Sequence, residues 1–223
     1  TASSAAFGVI DAQATNIAMH VATTGPVLFG GSIGLGGLGG GALASLSTGS
    51  GVSTVSGNIK TVGQTLFGGS LITTGIRTFN ASSLVVSGTT TLGNTLNFNG
   101  VNARFAGAVD TAVSGLGALN INNTGETRFE NGVGQTRALA SLRTTAATTL
   151  LRGSMRTLAT GQTWFSGLLR VDSAPTGVTT IDTGRIFVGK DLYTDGAAAG
   201  PANLSLIARS DPSIYTAPIR IGG

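Results

Sequence analysis

Along most of this chain single apolar residues alternate with small polar ones, and glycine-containing turns interrupt them at short, regular intervals. Leu96-Asn-Phe-Asn-Gly100 and Leu119-Asn-Ile-Asn-Asn123 alternate strictly, as half-buried strands do. The pattern is densest from Val52 to Phe105. Regularly spaced turns of this kind predict an all-β fold. Asparagine stacked on asparagine in neighbouring strands would form a hydrogen-bonded ladder.

The large residues add a longer order. Gly-x-x-x-Phe occurs at Gly25/Phe29, Gly63/Phe67, Gly75/Phe79, Gly125/Phe129 and Gly161/Phe165, and Phe105 follows Gly100 with one residue more. Phe67 and Phe79 are 12 apart, Phe105 and Phe129 are 24 apart, and Phe129 and Phe165 are 36 apart. Ala-Leu-Ala-Ser-Leu stands at 42–46 and again at 138–142, and Gly-Gln-Thr-x-Phe at 63–67 and 161–165. Such recurrence predicts a parallel β-helix, a β-solenoid, with a sub-period of about 12 residues and turns of about 24 or 36. One strand and turn cannot bury their apolar face alone, whereas stacked copies bury a continuous core. Phe29, Phe67, Phe79, Phe105, Phe129 and Phe165 are the predicted repeat core, with Thr, Ser and Asn in outer ladders. A β-sandwich or jelly roll is the alternative fold, since turn spacing alone does not separate the two.

The ends depart from this order. Residues 1–20 fit no repeat copy and are expected to be an amino-terminal arm or cap. In it Phe7, Val9 and Ile10 start a strand and Ala12–Met19 a short helix. Residues 21–202 are the expected solenoid domain, with a glycine-rich insertion at Gly34–Gly41 and a loop at Asp195–Pro201. Residues 203–223 are the expected carboxy-terminal cap or strand extension, with alternating Leu204, Leu206, Ile219 and Ile221. Those four, with Phe7, Val9 and Ile10, are the candidate assembly residues. The chain begins at Thr1 and not at Met, as a processed chain or a fragment would.

Composition narrows the function. Only 10% of the 223 residues are charged, against roughly 25% in average domains. Between Thr1 and Gly100 the charges are Asp11, Lys60 and Arg77, while the other 19 lie beyond. A nearly neutral half is poorly protected against association, so a protein neighbour is expected to cover it. The net charge of +4 comes from dispersed cations, not from the clustered stripe that nucleic acid requires, so no nucleic-acid partner is expected. No run of about 18 apolar residues occurs, so no membrane insertion is expected.

Chemical motifs are sparse. Gly34-Leu-Gly-Gly-Leu-Gly39 matches the dinucleotide fingerprint, but no helical pattern follows and the next carboxylate is Asp110, so no cofactor is expected. Gly30-Gly-Ser-Ile-Gly34 matches a nucleophile elbow, but the one histidine, His20, precedes Ser32, against the required chain order. Phe67-Gly-Gly-Ser-Leu71 copies the segment around Ser32, which marks that serine as repeat scaffold. With no cysteine and one histidine, no metal site is expected. Glu126 and Glu130 are expected to pair with Arg128 or Arg137. Of adjacent Trp164 and Phe165, alternation turns one ring outward. No catalytic residue is assigned.

Thr124-Gly-Glu-Thr-Arg-Phe129, Ala138-Leu-Ala-Ser-Leu142 and Gly161-Gln-Thr-Trp-Phe165 resemble repeat blocks of filamentous-haemagglutinin-like and autotransporter-like secreted bacterial adhesins. The resemblance covers roughly Val21 to Val188 and implies a β-helix that is secreted, on the cell surface or in extracellular matrix. The expected function is a structural or adhesive extracellular protein, a self-assembling fibre, sheath or matrix subunit joined through its termini by β-strand contacts. A segment of a large cell-surface adhesin is the first alternative. A carbohydrate-active, tailspike-like β-helix is the second, against which the scattering of nine acidic residues weighs. A homo-oligomer or filament is the expected assembly, and a host or surface glycan a further expected partner.

Overall fold

The computed structural model describes residues 4–13, 17–36, 41–172, 178–195, 203–210, 214–216 and 219–222. Every described strand pairing is parallel, and the chain coils through three sheets in turn. The first sheet stacks Ala5–Phe7, Val27–Phe29, Ser53–Val55, Leu71–Thr73, Thr90–Leu92 and Val109–Thr111. It continues across the bridges Val109–Val133–Met155 into Met155–Arg156, Val178–Thr183 and Asn203–Ala208. The second sheet stacks Ile59–Lys60, Arg77–Asn80, Leu96–Gly100, Ala118–Asn123, Ser141–Thr144, Gln162–Phe165, Arg185–Val188 and Ile214–Thr216. The third sheet is ten strands deep, from Ala18–Val21 to Ile219–Gly222. Nine steps of about 4.8 Å make the stack about 43 Å long. The fold is a parallel β-solenoid.

Burial explains the coil. Among the residues whose side chains are described, the strands turn alternate residues inward, and the inward columns fuse into one core along the axis. Phe29, Phe67, Phe79, Phe98, Phe105, Phe129 and Phe165 are each at most 1% exposed. They stand in different columns. Phe29 is in the first sheet, Phe79, Phe98 and Phe165 in the second, and Phe67, Phe105 and Phe129 in the third.

No unit of constant length divides the turns. Along the first sheet Ala5, Val27, Ser53, Leu71, Thr90, Val109, Val133, Met155, Ile181 and Leu206 align. The steps are unequal: those from Val27 to Ser53 and from Met155 to Ile181 are the longest, and that from Ser53 to Leu71 is the shortest. Phe105 and Phe129 are one turn apart and stack at 5.4 Å between ring centres. Phe67 and Phe79 belong to different sheets, so their spacing crosses a corner of the coil and does not climb it.

Both end segments pair with the coil. Ala5–Phe7, Ile10 and Ala18–Val21 are the first turn of the coil itself, paired in parallel with the next. Of the expected helix over Ala12–Met19, Ala18 and Met19 lie in a strand, and residues 14–16 lie outside the described residues. Asn203–Ala208, Ile214–Thr216 and Ile219–Gly222 likewise continue the three sheets. Half of the expected glycine-rich insertion, residues 37–40, and most of the expected loop, residues 196–201, also lie outside the described residues.

The asparagine ladder is present. Leu96–Gly100 aligns residue for residue with Leu119–Asn123. Asn99 donates to Asn80 Oδ1 at 2.8 Å, Asn122 donates to Asn99 Oδ1 at 3.1 Å, and Asn120 donates to Asn97 Oδ1 at 2.9 Å. Threonine departs from the expected outer position. Thr65, Thr127, Thr144, Thr149, Thr163 and Thr183 are buried. Their hydroxyls close the corners from inside, as in Thr144–Thr149 at 2.7 Å and Thr163–Thr183 at 3.1 Å. Replacing Asn99 by alanine removes two rungs at once. It should cost about 1–3 kcal/mol, from two hydrogen bonds of roughly 0.5–1.5 kcal/mol each, read as a lower melting temperature with an unchanged β spectrum.

Candidate functional site

The two ends of the coil are the first candidate surface. Among the described residues, the terminal strands of each sheet have one partner strand only. At the amino-terminal end Ala5, Phe7, Ile10 and Met19 are only partly buried, and at the other end so are Leu204 and Leu206. Phe7 stacks on Phe29 at 5.5 Å and stays partly exposed. Val9 is 55% exposed beside it. Ile10 bridges Ile33. Ile219 and Ile221 lie in the last strand of the third sheet, in register with Leu192 and Thr194, and their side chains lie outside the described residues. The candidate assembly residues thus divide between the two ends.

The motifs singled out for chemistry do not converge. Ser32 Oγ accepts from the Asn58 amide at 3.4 Å, and His20 Nδ1 lies 2.7 Å from Ser47 Oγ, its register neighbour on the third sheet. Ser47 is the contact that sequence order did not supply. Asp11 accepts from the Gly36 amide, and Asp110 accepts from the amides of Thr136 and Arg137. Glu126 pairs with Arg128 as expected. Glu130 pairs instead with Arg104 of the preceding turn, through two hydrogen bonds of 2.8 and 2.9 Å. The column that aligns Arg104 with Arg128 brings them together. That bond from Arg104 holds the Glu130 carboxyl below its usual range, against the opposing effect of burial. The pair's contribution is present above the unfolded carboxylate pKa and is lost as pH falls through the lower folded value. Asp172 accepts from both Arg152 and Arg170 at 3.1 Å, and Asp182 pairs with Arg209, which lowers the Asp182 pKa. Asp11, Asp110, Glu126, Glu130, Asp172 and Asp182 are therefore engaged in scaffold contacts. Among the described residues no three potential metal-ligating side chains cluster, and no helix is long and apolar enough to cross a membrane.

The second sheet carries a more distinct feature on its outer surface. Thr78, Asn97, Asn120, Arg143, Trp164 and Phe187 form one outward column, and Tyr215 takes the next register position. Trp164 and Phe187 stack with ring centres 3.8 Å apart. The indole Nε1 donates to Ser166 Oγ at 2.9 Å, so ring and edge are both held. Trp164 is still 39% exposed. A groove of about 310 Å³ beside it is lined by Asn120, Ser141, Leu142, Arg143, Gln162 and Trp164. A second, of about 150 Å³, lies over Trp164, Arg185 and Phe187. Alternation marks Trp164 in the sequence. It does not mark Phe187, which stands one turn further on, and the turns vary in length.

No protein-family model, curated protein or solved structure matches the chain. The adhesin resemblance rests on its sequence blocks alone.

Proposed function

We propose that this chain is a structural subunit of an extracellular fibre, sheath or matrix, and that its coils join end to end through β-strand contacts. The open ends carry this reading. Among the described residues, each end presents strands with one unpaired edge and core residues that stay partly exposed, Phe7 and Met19 at one and Leu204 and Leu206 at the other. A second coil docked there would pair those edges and extend the core by one more layer. Such a contact is heterologous, so it propagates into a filament. The sparse charge of the first hundred residues leaves little repulsion to oppose it. The carboxylates engaged by arginines and amides support a scaffold role over a catalytic one.

The same ends suit a second reading, a segment of a large secreted adhesin, in which further solenoid of one polypeptide covers them. One experiment separates the two. Phe7→Lys and Leu206→Lys each place a charge in one end layer, where docking would bury it unpaired at high cost. Either variant alone should stay monomeric by sedimentation while keeping its β spectrum. Mixed, they should form a dimer and no more, because each retains one sound end. An intact chain that stays monomeric at high concentration would remove the self-assembly reading and leave the adhesin segment.

A further inference from the structure

We infer that the outer face of the second sheet, centred on Trp164, is a binding site for an acidic polysaccharide. The inference goes beyond the assembly reading and does not depend on it, since this face lies along the side of the coil and not at its ends.

The platform comes first. An exposed aromatic ring binds well when it is already held in place, because little freedom is lost on binding. Trp164 is held by the Phe187 stack and by the bond from Nε1 to Ser166. Its exposed surface borders the larger groove, whose volume of about 310 Å³ is at the lower end of the roughly 300–1,000 Å³ of ligand sites. The face of a sugar ring, with its axial C–H bonds, is the apolar surface that stacks on such a platform. Its edge carries hydroxyls, which need amide and hydroxyl partners. Asn120, Ser141 and Gln162 supply these around the groove.

Charge then selects the class of sugar. Among the described residues, the outward positions of the second sheet include Lys60, Arg143 and Arg185 and no carboxylate. Arg143 precedes Trp164 by one step of the column, and Arg185 follows Gln162 by one step. Arg143 lines the same groove as Trp164, and its guanidinium matches a sugar carboxylate with bidentate geometry. From Asn120 to Phe187 the column climbs three steps, about 14 Å, which suits a chain lying along the coil axis. Single-stranded nucleic acid also uses stacking and cations, but it requires a continuous basic groove. Here the column preceding Arg143 is Thr78, Asn97 and Asn120, uncharged, and Asn120 bonds to Asn97.

The test is calorimetric titration of the intact protein with three probes. These are a polygalacturonate oligosaccharide, the same oligosaccharide with its carboxyls reduced to alcohols, and single-stranded oligodeoxythymidylate. The uronate should bind, and binding should weaken as salt rises. The reduced sugar should bind at least tenfold more weakly, and the oligodeoxythymidylate more weakly still. Trp164→Ala should abolish uronate binding, while Arg143→Gln should bring the uronate down to the affinity of the reduced sugar. Arg143 is exposed and Trp164 partly so, and an unchanged β spectrum of each variant controls for folding. Arg104→Gln, on another face, should bind as the parent does. Equal binding of the charged and reduced sugars, tighter binding of the oligonucleotide, or unchanged binding by a folded Trp164→Ala protein would each overturn the inference.

Discussion

Truncating Phe105 to alanine should lower the unfolding free energy by about 3–5 kcal/mol. The ring is fully buried and stacks on Phe129 one turn away. Its column continues to Val86 on the other side, and the backbone there is tied to both neighbouring strands. A void at this position cannot close without breaking sheet hydrogen bonds, so the upper part of that range applies. The aromatic stack adds about 0.5–1.5 kcal/mol beyond area burial. Layers of a solenoid are stabilised mainly by their neighbours, so the weakened layer should also broaden the unfolding transition. Urea denaturation followed by circular dichroism measures both effects. A loss below about 1 kcal/mol would place Phe105 outside the stabilising core, in conflict with its complete burial.

The second large effect is expected at Gly134. Its φ of +68° lies in the left-handed region, which costs other residues about 1–2 kcal/mol. An added Cβ would also lie 2.0 Å from the Arg156 carbonyl oxygen of the next turn. Gly34 repeats the arrangement, with φ of +70° and the Lys60 carbonyl oxygen 2.1 Å from a built Cβ. Each glycine follows a bridge residue, Val133 or Ile33. Gly134→Ala should therefore cost more than about 2 kcal/mol, because backbone must move in addition to the strain. Gly41→Ala is the control, since its Cβ would meet nothing within 4 Å. The two unfolding midpoints, compared directly, decide the matter. Equal midpoints would contradict the close approach.

Those two glycines also show which parts of the fold are legible in the sequence. Ala-Leu-Ala-Ser-Leu follows both glycines in the sequence, at 42–46 and 138–142. Yet Leu46 enters the third sheet and Leu142 the second. Gly-Gln-Thr-x-Phe behaves the same way, with Phe67 in the third sheet and Phe165 in the second. All three sheets ask much the same of a strand: a glycine corner and inward residues at alternate positions. The motif therefore identifies a strand in a solenoid but not its sheet. Turn length is hidden for a related reason. Some turns are long, as between Val27 and Ser53, while others are short, as between Ser53 and Leu71. The asparagine ladder is legible because 96–100 and 119–123 are near copies one turn apart. The aromatic platform is half legible. Trp164 stands out beside a core phenylalanine, whereas Phe187 in Arg185-Ile-Phe-Val188 looks like any strand residue until the register pairs the two.

The inward threonines have a related explanation. A corner must turn the chain while keeping the first and last residues of two strands pointed inside. The side chains there are close in sequence, as in Thr144 and Thr149, and their hydroxyls reach each other at 2.7 Å. Asparagine on the flat outer face instead bonds along the axis, from turn to turn. Polarity alone does not separate these two positions, because both hold hydrogen-bonding residues.

Electron microscopy with fibre diffraction of the concentrated, intact protein tests the end-to-end account most directly. Coaxial stacking predicts unbranched filaments and a reflection near about 4.8 Å, the strand spacing, along the filament axis. Isolated particles about 43 Å long at every concentration, or filaments with the strand spacing across the axis, would contradict it.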